Sequence, residues 1–271
     1  MLDLTHWPQA GHRWLGVLTD IDDTLTTDGA VTADALQALA DLKQAGLVVI
    51  PITGRPMGWS RDFAQTWPVD ALVAENGAAG WIPSVSGPRP IYQQSAAIRA
   101  NNFVRMQQVA ARIVREVSGA CMAQDSAGRE TDIAIDHSEF NHLPAAAIQQ
   151  VLEIMHSEGM VATVSSIHIN GWFGEHHKLS GARWIVRELL GRDLDEELDH
   201  WVYVGDSTND QVMFERFPFS VGVANIARFI PELAHPPKFI TRQARGAGFA
   251  ELTQRLLQTG HHGRASVSPI A

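Results

Sequence analysis

Short apolar runs that stop at polar or glycine-rich turns alternate along the chain with stretches of helical spacing, a pattern that predicts a parallel α/β sheet. The leading run, Leu15–Leu25, places Val17 and Leu18 behind Trp14 and ends abruptly at Asp20, Asp22 and Asp23. Asp28-Gly29 then signals a turn, Thr32 stands at a helix N-cap position, and Leu36, Leu39, Ala40 and Lys43 recur at helical spacing up to Gly46. Leu47–Ile52 reads as a second buried strand ending in Thr53-Gly54-Arg55-Pro56, with the proline suited to the first turn of the next helix. Trp59 and Phe63 mark that helix, Ala71–Ala74 a third strand, and Glu75-Asn76-Gly77 a tight turn.

Beyond Trp81 the pattern changes. Pro83, Ser84, Ser86, Gly87, Pro88 and Pro90 read as a loop, and a domain boundary is placed there. A helix over Ala97–Ser118, a strand over Thr131–His137, a helix over Pro144–Glu158 and a strand over Met160–Ile169 then predict a small inserted module, with Gly171 and Gly174 as hinges at its exit. The core resumes with a helix opened by Lys178, strands at Trp201–Val204, Ser220–Val223 and Lys238–Thr241, and helices through Ile226–Leu233 and Phe249–Leu257. The expected fold is therefore α/β, a Rossmann-like doubly wound parallel sheet with an inserted α+β domain. Residues 1–82 and 175–258 form the expected core, 83–174 the insert, and 259–271 a flexible polar tail carrying His261 and His262.

Composition narrows the function classes. A length of 271 residues, 45% hydrophobic and 19% charged, describes a globular chain able to bury a sizeable core. A net charge of −9 argues against a nucleic-acid or anionic-membrane surface. The single cysteine, Cys121, excludes an internal disulfide framework and reads as a small apolar filler. The N-terminal residues lack a basic region followed by an apolar one, and no run approaches a membrane span, so a cytoplasmic enzyme is expected.

The chemistry concentrates at strand ends. In open parallel sheets ligands sit beyond the carboxyl ends of the strands, which is where Asp20 and Asp22 fall. Packed carboxylates require a cation, a proton or strong donors, although a solvated acidic turn gives the same local pattern. Thr53 and Gly54 combine a hydroxyl with free backbone N–H groups at a helix start, an anion site or simply a capped helix. Lys178 is one of only three lysines, with Lys43 and Lys238, and can carry a point charge into a cleft. His176 and His177 are adjacent, so they would point apart, and no third metal ligand is evident. Gly205-Asp206-Ser207-Thr208-Asn209-Asp210 again crowds acids at a strand end, with Asp206 and Asp210 one helical turn apart.

Taken in order, Asp20-Ile21-Asp22-Asp23-Thr24, Thr53-Gly54-Arg55, Lys178 and Gly205-Asp206-Ser207-Thr208-Asn209-Asp210 resemble the four signature motifs of the haloacid dehalogenase superfamily. The Glu75-Asn76-Gly77 turn and the insert resemble its subclass with a type IIB cap, which includes Cof-like and sugar phosphatases. The resemblance spans Leu15 to Leu257 and implies a phosphatase with an aspartyl-phosphate intermediate. It implies Asp20 as nucleophile and Asp22 as general acid and base. It implies Mg²⁺ held by Asp20, the backbone carbonyl of Asp22 and Asp206, with Asp210 as a further or indirect ligand. Thr53, Gly54 and Lys178 would hold the phosphoryl oxygens, and Thr24 and Asn209 would position the loops, whereas Asp23 reads as an exposed turn residue. Arg89, Arg99, His168, Asn170 and Trp172 are candidate contacts to the leaving alcohol.

The expected substrate is a small phosphorylated sugar or sugar acid, with neither nucleic acid nor membrane as partner and no indication of oligomeric state. The rival activity is phosphoryl transfer similar to phosphomannomutase; a non-catalytic metabolite-binding protein on the same fold is the remaining alternative.

Overall fold

The computed structural model describes residues 1–8 and 11–262. Its first half contains β1 (Leu2–Asp3), β2 (Gly16–Thr19), α1 (Ala33–Gln44), β3 (Val48–Pro51), α2 (Met57–Thr66), β4 (Leu72–Ala74), β5 (Ala79–Ile82), β6 (Arg89–Tyr92) and α3 (Ala96–Glu116). There follow β7 (Ile133–Asp136), α4 (Ala145–Ser157), β8 (Val161–Val164), β9 (His168–Trp172), α5 (Lys178–Leu190), β10 (Trp201–Gly205), α6 (Gln211–Arg216), β11 (Phe219–Gly222), β12 (Phe239–Ile240) and α7 (Arg245–Thr259). No helix among the described residues is long and apolar enough to cross a membrane.

Six strands form one parallel sheet in the order β1-β12-β11-β10-β2-β3. Alternation along each strand fills both faces. Val17, Val49 and Val202 pack with Leu39 and Leu42 of α1 and Phe249 and Leu252 of α7, while Leu18, Ile50 and Tyr203 pack with Ile185 and Val186 of α5 and Phe214 of α6. The chain runs from β2 to β3 on one side and places β10 on the other. This switch of direction opens the sheet's carboxyl edge between β2 and β10.

A separate three-stranded antiparallel sheet, β7-β9-β8, carries its own apolar cluster with α3 and α4, including Met106, Ile113, Ile135, Val151, Met155 and Trp172. The two connections to it lie side by side, because Gln94 Nε2 donates to the Phe173 carbonyl at 3.0 Å. Gly174 adopts φ +119° at that junction, whereas Gly171 lies within β9, where a Cβ would come within 2.6 Å of Met155 Sδ. Close packing, not hinging, accounts for Gly171.

Several elements differ from the sequence reading. The proline-rich stretch is the turn of a hairpin, since β6 pairs back onto β5. The expected strand over Met160–Ile169 is two strands, β8 and β9, turning at Ser165–Ile167; polar Ser165 and Ser166 break an otherwise apolar run. Pro231 divides the expected helix Ile226–Leu233 into the short turns Ala224–Arg228 and Ile230–Glu232. On α1 the buried positions are Ala35, Ala38, Leu39 and Leu42, and Leu36 faces outward. Cys121 is exposed, so it fills no core. Gly260–His262 pairs with His12–Trp14. The rest of the expected tail, 263–271, and the side chains of His261 and His262 lie outside the described residues.

Candidate active site

Asp20 leaves β2 with its N–H donating to the Val204 carbonyl of β10 at 2.8 Å, so strand pairing itself sets the first carboxylate beside the Asp206 turn. Asp20, Asp206 and Asp210 each bring a carboxylate oxygen within 4.8 Å of the others, and all three are buried. Lys178 enters this cluster from the first turn of α5, donating to Asp20 Oδ1 and Asp210 Oδ1 at 2.6 Å each. His177 caps that helix with Ser180: Ser180 N–H donates to His177 Nδ1 at 3.3 Å, and His177 N–H donates to Ser180 Oγ at 2.9 Å.

Glycine permits the approach that seats Lys178. Gly77 has φ +110°, and a Cβ there would lie 2.5 Å from the His177 carbonyl oxygen; a Cβ on Gly181 would lie 2.5 Å from the Gly77 Cα. The Glu75-Asn76-Gly77 turn is thus pressed against the start of α5.

The two later acids differ in occupancy. Asp210 Oδ1 also accepts from Tyr203 OH at 2.5 Å, and Asp210 Oδ2 accepts from the N–H groups of Asp206 and Ser207 at 2.9 and 3.2 Å. Asp206 Oδ2 accepts from Asn225 Nδ2 at 2.9 Å, but Asp206 Oδ1 is buried with no hydrogen-bond partner among the described residues. An orphaned buried carboxylate oxygen beside a second carboxylate is a donor set suited to a hard divalent cation. Burial pushes the Asp206 carboxyl well above its usual range, with Asp20 and Asp210 adding to the effect. Burial likewise raises Asp20 to about 7, Lys178 opposing the rise and Asp210 and Asp22 reinforcing it. A divalent cation held there would favour the ionised carboxylates.

Asp22 takes a different direction, pairing with Arg55, whose Nε lies 3.0 and 3.1 Å from its two oxygens. The Thr53 hydroxyl accepts from Arg55 N–H at 3.0 Å and shapes the turn in which Gly54 lies. Thr24 is buried, and its hydroxyl has no partner among the described residues; the loop is held instead by Thr26 Oγ1, which accepts from Asp23 N–H at 3.0 Å. Asn209 accepts from Ser207 Oγ at 2.9 Å. Asp23 is not an exposed turn residue: Arg228 and Arg245 clamp it at 3.0 and 3.1 Å.

The insert covers the site. Asp20, Asp22, Gly54 and Arg55 share a space of about 10 Å³ with Ser165, Ser166, Ile167, His168 and Asn170. A neighbouring cavity of about 670 Å³ is lined by Asp22, Arg55, Glu139 and Phe140 among others. Of the candidate leaving-group contacts, His168 and Asn170 reach the inner space. Trp172 is core, Arg99 pairs with Glu130 over the Tyr92 ring, and Arg89 is exposed.

Other polar groups that sequence reasoning missed join insert to core. Arg129 is buried, donates to the Gly54 carbonyl at 2.9 Å and holds Asp132 at 2.8 Å, while Asn170 Nδ2 donates to Asp132 at 2.8 Å. Glu75, read from sequence only as part of a turn, accepts from Met57 N–H at 2.9 Å, Glu130 N–H at 3.0 Å and Thr131 N–H and Oγ1 at 2.5 Å each. Its only sequence signal is the turn it opens, where Glu75 itself takes φ +48°.

A doubly wound sheet whose carboxyl edge gathers paired acids, a buried lysine and a covering insert defines a hydrolase or phosphotransfer class of site. The family model for haloacid dehalogenase-like hydrolases matches residues 17–97. The chain is 25% identical to a phosphoglycolate phosphatase of Methanothermobacter thermautotrophicus, over 89% of this chain and 98% of that one. Its fold is shared with a Thermoplasma acidophilum protein (TM-score 0.69, 16% identity, 90% of this chain and 100% of the other). It is shared also with a phosphatase of the haloalkanoate (HAD) enzyme superfamily from Bacteroides thetaiotaomicron (TM-score 0.62, 16% identity, 93% and 97% covered).

Proposed function

We propose that this phosphatase hydrolyses small phosphomonoesters at Asp20, with phosphoglycolate or another phosphorylated sugar acid as the leading substrate class. The contact that carries the reading is Lys178 Nζ at 2.6 Å from Asp20 Oδ1, a buried cation beside a buried nucleophile at the sheet's switch point. In this reading Asp20 attacks phosphorus and forms an aspartyl-phosphate, dividing the hydrolysis into two displacements. Asp22 protonates the leaving alcohol and later takes the proton of the attacking water, and Arg55 Nη2 at 2.9 Å holds its carboxylate in place. Lys178, the Thr53 hydroxyl and the Gly54 backbone face the phosphoryl oxygens.

Asp20, Asp206 and the backbone carbonyl of Asp22 would hold a divalent cation, Mg²⁺ in this reading, which when bound supplies charge neutralisation at the phosphoryl oxygens. Asp210, with both oxygens already engaged, serves as the anchor of Lys178. Residues 83–174 act as a cap that closes over the reacting groups, consistent with the small space above Asp20.

The test is phosphate release from phosphoglycolate, sugar phosphates and glycolytic intermediates, with and without Mg²⁺, by the wild type and Asp20→Asn. Metal-dependent release that is lost in the variant is expected. Equal release by both proteins, or transfer to a second sugar with little free phosphate, overturns the reading.

A further inference from the structure

Glu139 occupies the junction between the inner space and the larger cavity. Its Oε1 accepts from Arg55 Nη2 at 2.7 Å and its Oε2 from His168 Nε2 at 2.8 Å, so one carboxylate bridges a core donor and an insert donor. Both donors line the space above Asp20 and Asp22, whereas Glu139 and Arg55 also line the cavity of about 670 Å³. Arg55 already carries Asp22 and Asp125, and the Trp59 ring lies 5.1 Å from its guanidinium carbon, so the donor stays in place when one carboxylate leaves.

Of these carboxylates Glu139 is the one free to move. Its side chain is the most exposed, at 18%, against 15% for Asp22 and 12% for Asp125. Its backbone is fixed, because Asp136 accepts from Ser138, Glu139 and Phe140 N–H groups at 3.1, 2.9 and 2.9 Å. Rotation of the side chain alone therefore delivers it into the large cavity, where water solvates it.

Resting on the phosphatase reading above, we propose that Arg55 and His168 form the binding pair for a carboxylate on the substrate's leaving group, and that Glu139 is a built-in occupant which that carboxylate displaces. An incoming carboxylate presents the same pair of oxygens to the same two donors. A neutral hydroxyl satisfies one donor at best and replaces a charge-assisted bond at the guanidinium with a weaker neutral one. The pocket therefore selects phosphorylated hydroxy acids over phosphorylated polyols of equal length.

The test measures binding without turnover, in the Asp20→Asn background with Mg²⁺, by calorimetric titration of phosphoglycolate and of 2-hydroxyethyl phosphate, its neutral counterpart. The quantity read is the ratio of the two dissociation constants. Adding Glu139→Gln is expected to raise the preference for phosphoglycolate by about tenfold, and adding His168→Asn to lower it by about tenfold, the scale of one charge-assisted hydrogen bond. A preference unmoved by Glu139→Gln, both ligands shifting together in either variant, or no phosphoglycolate binding at all overturns the assignment. Failure of the phosphatase reading is distinguishable: the binding preference responds as stated, yet the wild type releases no phosphate from either ester.

Discussion

Asp210 anchors Lys178: a single carboxylate oxygen, 2.6 Å from Nζ, fixes the ammonium while Tyr203 and two backbone N–H groups hold that carboxylate in turn. Lys178 is fully buried, and burial alone would lower its proton affinity; Asp20 and Asp210 outweigh that and keep it charged. Asp210→Asn keeps the shape and removes the charge. A fall of about 10- to 100-fold in kcat with KM less affected is expected, measured by steady-state phosphate release.

Cation binding is readable apart from activity. Because Asp206 Oδ1 is buried without a partner among the described residues, Mg²⁺ added to chelator-treated protein is expected to raise the thermal midpoint, as any ligand of the folded state does. Asp206→Asn abolishes the Mg²⁺-dependent shift. Persistence of the full shift in that variant would place the cation elsewhere.

Gly181→Ala is expected to act on Lys178 at a distance. The added Cβ would lie 2.5 Å from the Gly77 Cα, so the first turn of α5 or the Glu75-Asn76-Gly77 turn must shift. A loss of about 1–3 kcal/mol in stability follows from such overpacking, together with a lowered kcat. Denaturant unfolding and kinetics check the two effects separately.

His176 predicts acid sensitivity. Burial depresses it to about 4, with His177 contributing, and neither ring nitrogen has a partner among the described residues. The folded value lies below the ordinary 6.5, so the neutral ring favours the fold. Its contribution is present above about pH 6.5 and is lost as pH falls towards 4, a change on the order of 2–3 kcal/mol. His176→Leu, which stays against Trp172 without a titrating ring, flattens the unfolding profile across that window. An unchanged slope would remove His176 from the account.

What the sequence discloses is local. Asp20, Thr53, Lys178 and Asp206 stand out because each terminates an apolar strand run or opens a helix, and the sheet's geometry then converges them. Arg129 and Asp132 give no such signal: Arg129 meets the Gly54 carbonyl across 75 residues and lies outside every predicted element, and Asp132 falls inside the expected strand Thr131–His137 and not at its carboxyl end. Glu75 hides within a turn for the same reason, since its partners Glu130 and Thr131 come from the insert. Arg55 sits inside a legible motif, but its several carboxylate partners arrive from separate parts of the chain. The β8–β9 turn is obscured by Ile167, which continues the apolar pattern across a reversal.

The space above Asp20, about 10 Å³, is the room one water molecule needs. A phosphoryl ester cannot enter it unless the turn at Ser165–Ile167 lifts. Turnover is then expected to be metered by a door as well as by a bond. If lifting is the slower event, esters with good and poor leaving groups share one ceiling rate, and thickening the solvent lowers that ceiling for all of them alike.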